Sequence, residues 1–446
     1  MKQTPLSPKL ERKIIAAADS LLPAAWSLAQ GIFRHPELCY QERYACRALS
    51  EFLEGRGFKI TPRAGGLETA FAAEKRGRGR GPRIAFLAEM DALPGLGHAC
   101  GHHLIAAASA GAAAALVSAL PSFAGSILVI GTPAEEGGAG KIRLCRAGVF
   151  KNLDAALLVH PDKRTEVFKR SLGAVELHFE FIGRAAHAAA EPEAGVNALD
   201  AVIQTFNAVA LMRQQMGDGR RVHGIVTDGG TAANIIPERA AAVFLARGFT
   251  IKDTLELAER VKNCARGAAT AAGARLRTRM LKDKMYAPYV PNRPLGQAFK
   301  RALERIGLQD EGGREDEGMG STDVGNAGLE VPILHPLMRV PGVKAGVHTP
   351  EFARASSGPA GRTMLGQAIK ALALTGAMFA KFSAAMLSWG LLLYMIFSPK
   401  GRRWFRTWPP YAAGALSALL YSPVIVWNRR NDWISLQALG ELAPVE

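Results

Sequence analysis

Three short apolar runs in this chain each end abruptly in loop-forming polar residues, and that repetition limits the fold more than any other feature. The runs are "RIAFLAEMDALPG" (83–95), "GSILVIGTPAEEGG" (125–138) and "AALLVHP" (155–161). A short unbroken apolar run bounded by turn residues reads as a strand buried on both faces. Such strands belong to parallel sheets whose faces are covered by helices. Between the first two runs lies "LIAAASAGAAAALVSAL" (104–120), a buried helix whose alanines permit close packing. Strand alternating with helix predicts an α/β fold with a helix-covered, mostly parallel sheet. In such sheets the chemistry collects where strands pass into loops.

The residues at those strand ends are ones that bind metals. "HACGHH" (98–103) places Cys100 and His102 two apart in a glycine-containing turn. Glu135 and Glu136 stand side by side after the second run, His160 ends the third, and His348 opens "HTPE". Thiolate, imidazole and carboxylate together suit a borderline-soft divalent ion such as zinc. Each motif is weak alone; jointly they read as a two-metal hydrolase site.

Composition excludes other classes. The net charge is +16, but the basic residues are scattered or sit in loop clusters such as "EKRGRGRGPR" (74–83). With no basic helix carrying interleaved aromatics and no finger or RNA-binding signature, the charge reads as a basic surface and no nucleic-acid partner is expected. Five cysteines, Cys39, Cys46, Cys100, Cys145 and Cys264, form no disulfide framework and fit a reducing cytosol. The first twenty residues lack the apolar core of a signal peptide, so the expected location is cytoplasmic.

Texture divides the chain into four stretches. Residues 1–170 and 284–380 carry the strand-and-loop pattern of one catalytic domain, closed by a helix of roughly 355–380. Residues 171–283 read as strand, helix, two strands around a glycine-rich turn, helix (252–272) and strand, an inserted α+β lid module of ferredoxin-like order. Residues 381–446 form a hydrophobic helical tail holding five of the six tryptophans, with apolar runs at 382–397 and 411–427 around a basic loop. Each run is near the lower length limit for a membrane span, so membrane association is expected only through this tail, with a buried helical hairpin as the other reading.

These motifs resemble the M20 metallopeptidase family, in its amidohydrolase branch of aminobenzoyl-glutamate hydrolases and β-alanyl-lysine-type dipeptidases. The resemblance covers about residues 10–378 and rests on "EMDALPGLGHACGHHLIA", "GTPAEEGGAGK", "LLVHP", "GRAAHAAAEPEAGVNALDA", "RVHGIVTDGG", "NIIPERA" and "GSTDVGNAG", in family order. It implies two divalent metal ions, zinc or manganese, held by Cys100, His102, Glu136, His160 and His348, with Glu135 as general base. It also implies a homodimer built through the inserted domain, in which His187 of one subunit stabilises the oxyanion in its partner's site. Asn234 and Arg247 would touch the carboxylate end of a dipeptide, N-acyl amino acid or aroyl-glutamate substrate, and Arg247 reads equally as a structural ion-pair residue. Asp91 would orient a ligand histidine.

Two positions depart from the pattern. His103 stands where the family has Asp or an amide, and is expected to support the ligands from behind as an outer hydrogen-bond partner. Glu89 replaces a more usual Asp and is expected to be tolerated. His35, His98, His178, His223 and His335 are taken as structural, His223 least securely because it could line the inserted domain's cleft. The tail resembles an internal stretch of dolichyl-phosphate-mannose mannosyltransferases without their acidic catalytic residues, so no glycosyl transfer is expected. Two other readings stand beside the cytoplasmic hydrolase: the same enzyme anchored to a membrane by its tail, and a non-catalytic scaffold that keeps the fold.

Overall fold

The computed structural model describes residues 6–314, 320–397 and 407–408. In chain order the first strands are β1 (Lys59–Pro62), β2 (Phe71–Arg76), β3 (Arg83–Glu89), β4 (Ser126–Thr132), β5 (Ala155–Leu157) and β6 (His160–Asp162). The inserted module supplies β7 (Gly173–Ile182), β8 (Arg221–Asp228), β9 (Arg239–Gly248) and β10 (Arg275–Met280). The chain then adds β11 (Ile333–Leu334) and β12 (Leu337–Arg339).

The main sheet has the order β1-β2-β4-β3-β5-β11. Its β4–β3, β3–β5 and β5–β11 pairs are parallel, and only the β1–β2 and β2–β4 pairs at one edge are antiparallel. Every residue of β4 is buried, as is β3 beyond Arg83, which explains their unbroken apolar sequence. The alanine-rich helix His102–Ala119 is buried continuously from His102 to Leu116. Gly111 lets it approach closely: a Cβ there would lie 2.8 Å from Ile369 and 3.6 Å from Ala25, on two other helices. This is the one helix among the described residues apolar and long enough to cross a membrane, and it is a core helix.

The inserted module is a four-stranded antiparallel sheet in the order β10-β7-β9-β8. Helices Ala198–Met212 and Ile251–Ala272 bury one face of it around Phe179, Phe181, Phe244, Leu257 and Val261. Asn197 and Thr250 cap the two helices, accepting from the Leu199 and Asp253 amides respectively. The strand–helix–strand–strand–helix–strand order is the one the sequence pattern predicts. The sheet's other face is left open, so residues on β7 and β9 alternate between buried and half-exposed. Residues up to Lys381, module included, form one compact unit.

One expected boundary is wrong. The closing helix is two helices, Pro350–Ser356 and Pro359–Phe397, and the second runs through the expected end at 380. No proline falls between Pro359 and Pro399, so nothing local stops the helix there. The apolar run at 411–427 lies outside the described residues.

Candidate metal centre

The loops at the carboxyl ends of β3 and β4 and the start of β6 bring the candidate ligands together. Cys100 Sγ lies 3.3 Å from His160 Nε2 and 3.2 Å from His348 Nε2. Glu136 Oε1 lies 3.4 Å from His348 Nε2 and 3.7 Å from His102 Nε2. Three overlapping groups result: Cys100 with His102 and His160, Cys100 with Glu136 and His348, and His102 with Glu135 and Glu136. Cys100 and His102 are buried, and His348 is half-exposed at the rim.

Local backbone features set each ligand in place. Gly101, at φ 85°, starts the helix that carries His102, and a Cβ there would meet Pro161 at 2.5 Å. Ala134 and His348 are held at φ 61° and 65°, a conformation costly for residues with a side chain. Each strain is fixed by a hydrogen bond: the Ala134 amide donates to Glu42 at 2.8 Å and the His348 amide to the Ala99 carbonyl at 2.9 Å. Asp91 anchors two ligands at once. Its Oδ1 lies 3.1 Å from His102 Nδ1, and its Oδ2 accepts from the Glu136 amide at 2.8 Å. His160 Nδ1 meets the Pro161 carbonyl at 2.8 Å. Both histidines thereby turn Nε2 inward as a lone-pair donor.

The donor set fits divalent metal ions. His102 Nε2 and Glu136 Oε1 are buried without a hydrogen-bond partner, a costly arrangement unless another group meets them. Neighbouring carboxylates also diverge. Burial, then the charges of Glu89 and Asp323, push the Glu135 carboxyl well above the usual range. Burial acts the same way on Glu136, but His348 and His102 outweigh it and hold that carboxyl below its ordinary value.

Beneath the ligands lies a charge cluster that the motifs do not reveal. Lys141, wholly buried, places Nζ 2.7 Å from Glu89 and 2.6 Å from Asp323. Its amide also donates to Asp323 at 2.8 Å. The other Glu89 oxygen faces His102 Nε2 at 3.7 Å, so Glu89 is part of the frame around the site rather than an inert replacement. The signal was present as polar residues inside apolar context, Lys141 in "GTPAEEGGAGK" and Asp323 in "GSTDVGNAG", but nothing in sequence says that they meet.

Other expected site residues fall in different places. His103 is buried against Phe33 and His98, with Nε2 3.3 Å from the Ser356 carbonyl. Among the described residues it has no hydrogen bond to any candidate ligand, because its side chain leaves the helix on the face opposite the cluster. His335, expected to be structural, lies closer than anticipated and packs edge-on against His160. Arg247 donates to Ser321 Oγ at 3.0 Å, and its Nε is buried with no partner. No acidic residue pairs with it among the described residues, so the reading as a structural ion pair does not hold. His187 and Asn234 stand together, the Ala188 amide donating to the Asn234 carbonyl at 3.0 Å, with His187 exposed. Neither lines the two cavities that flank the ligand cluster, one of about 250 Å³ and one of about 460 Å³.

A strand-end cluster of thiol, imidazole and carboxylate, with a spare carboxylate beside it, defines a hydrolase of the metal-dependent class. Residues 85–371 match Peptidase family M20/M25/M40, and the chain belongs to that family. It is 36% identical to the Xaa-Arg dipeptidase of Mus musculus, over 82% of this chain and 88% of that one. It is 34% identical to a p-aminobenzoyl-glutamate hydrolase of Escherichia coli (strain K12), over 64% of this chain and 62% of the relative. A Bacillus subtilis M20 peptidase described as dinuclear metal binding shares the fold, with a TM-score of 0.61 at 22% identity over 81% of this chain and 99% of that one. Residues 365–427 match dolichyl-phosphate-mannose-protein mannosyltransferase, starting inside the last described helix.

Proposed function

We propose that this enzyme hydrolyses the amide bond of a dipeptide, N-acyl amino acid or aminobenzoyl-glutamate-type substrate whose leaving part carries a free carboxylate. One observation carries the reading. The donor atoms of Cys100, His102, Glu136, His160 and His348 converge on partnerless buried atoms of His102 and Glu136, with Glu135 beside them. Two zinc or manganese ions held by these five residues would polarise the scissile carbonyl and make a water acidic enough to attack it. Glu135 takes the proton of the attacking water and passes it to the departing amine. Its backbone carbonyl, which accepts from the Tyr286 hydroxyl at 3.1 Å, fixes the loop that aims it. Arg247, pointed into the larger cavity, grips the substrate carboxylate.

The oxyanion donor comes from a second copy of the chain. His187 Nδ1 accepts from the Ala189 and Ala190 amides, which leaves Nε2 to donate outward. Strand β8 is an unpaired sheet edge, and Ile225, Val226 and Ile235 are exposed beside it, as is Leu211 at 79%. An open edge with apolar side chains is a surface suited to pairing with another subunit. The absence of any disulfide among the five cysteines accords with a cytoplasmic enzyme.

The test uses the full chain, stripped of metal and reloaded with zinc or manganese, against β-alanyl-lysine, aminobenzoyl-glutamate and an N-acetyl amino acid. Metal-dependent cleavage that disappears in Glu135→Gln is expected. A chain that binds no divalent ion would refute the site.

A further inference from the structure

The larger cavity holds two cations and three carboxylates, and one of those carboxylates has no part in the ligand cluster. Its walls include Arg247, Lys284, Glu135, Glu136 and Glu176. Glu135 and Glu136 belong to the cluster already described. Glu176 lies on the open face of the inserted sheet, half-exposed, with Oε1 held by His178 Nε2 at 2.5 Å. That contact fixes the carboxylate and leaves its second oxygen available. Among the described residues no ion pair joins Lys284 to it.

The register of the sheet sets the distance between the two charges. Glu176 pairs with Leu245 and Ala174 with Arg247, so Glu176 and Arg247 are diagonal neighbours on adjacent strands. Such neighbours are about 7–8 Å apart at the backbone, within reach of long side chains. A carboxylate held by Arg247 therefore lies one amino-acid side chain away from Glu176. Ala174, Leu245 and Leu281 give the space between them an apolar lining, which suits the aliphatic stem of a lysine or arginine.

Resting on the proposed hydrolase reading, we infer that Glu176 is a specificity-determining residue that pairs with a cationic side chain on the departing amino acid, so that this enzyme prefers substrates ending in lysine, ornithine or arginine. The α-carboxylate goes to Arg247 and the side-chain cation to Glu176. The acyl part is then left to the smaller cavity on the other side of the ligand cluster.

Two measurements on the metal-loaded full chain test this. The first compares kcat/KM for β-alanyl-lysine and β-alanyl-norleucine, which share a carbon skeleton and differ in the ammonium. The lysine-to-norleucine ratio is expected to fall roughly 10- to 100-fold in Glu176→Gln, the value of a hydrogen bond to a charged group. In Glu176→Lys, β-alanyl-glutamate should gain on β-alanyl-lysine. Because each readout is a ratio within one protein preparation, partial misfolding cannot mimic it. The second is calorimetric binding of free L-lysine against L-norleucine, where wild type should prefer lysine and Glu176→Gln should not. An unchanged ratio with unchanged binding preference would overturn the assignment. If wild type cleaves neither peptide, the hydrolase reading fails, and the calorimetry still decides the role of Glu176.

Discussion

The ligand cluster and the His187 loop both present imidazoles for chemistry, yet one is finished within a single chain and the other is not. In the cluster each ligand is fixed by buried backbone and by an outer partner, Asp91 for His102 and the Pro161 carbonyl for His160. The Lys141–Glu89–Asp323 set lies under it with no exposure to solvent. His187 sits on an exposed loop of a sheet with an open face and an open edge, outside both cavities of its own chain. Metal ligands need convergent, preset donors, because desolvated polar atoms are costly unless all are met. A donor brought by a second surface needs only to be presented. The two regions therefore teach different things: burial builds the centre, and exposure marks what another subunit completes.

The comparison can be broken at several points. Glu135→Gln should lower turnover roughly 10²- to 10⁴-fold, while metal content measured by atomic absorption stays at the wild-type value. A variant that also loses metal would mean that Glu135 is a ligand rather than the base. Next in size is Lys141→Met, which strands Glu89 and Asp323 as buried unpaired charges. A loss of about 3–5 kcal/mol is expected in denaturant titration of the metal-free chain. Near-wild-type stability would show that the charge frame is not what holds the cluster.

His187→Ala should cost roughly 10²- to 10³-fold in kcat, and it offers the sharpest check on the contrast. Mixing it with Glu135→Gln, each nearly inactive alone, should restore activity, because one site of the mixed dimer has both an intact base and an intact partner histidine. No recovery on mixing, with exchange verified by native mass spectrometry, would place His187 in its own chain's site or in none.

The smallest effect concerns Glu42, which holds the Ala134 amide at the foot of the Glu135 loop. Burial, only partly offset by its hydrogen bond from Thr69, raises its carboxyl from 4.5 to about 6. Between those values the folded chain binds more protons than the unfolded one. Stability from this group is therefore present at acid pH and lost as pH rises through about 6. Glu42→Gln should thus gain on wild type by roughly 2 kcal/mol between pH 4.5 and pH 7.5, read from paired thermal melts. A pH-independent difference would contradict the assigned shift.

Sequence alone determined the class of fold, the four-way division of the chain and the identity of the candidate ligands. Those signals are local: an apolar run with a polar end, a β-α-β-β-α-β texture, a thiol two residues from an imidazole. Where a local signal was missing, the reading failed. No breaker marks residue 380, so the last helix runs on to Phe397. His103 was placed by its neighbour in sequence, but adjacent helix positions point about 100° apart, and its ring packs on Phe33 instead. Tertiary structure decided everything that depends on residues far apart in the chain. It brought Lys141 to Asp323 and Arg247 to Ser321, set Glu176 one side chain from Arg247 and kept His187 away from its own ligands. Long-range pairing is fixed by packing and strand register rather than by composition, and so no local reading of the sequence contains it.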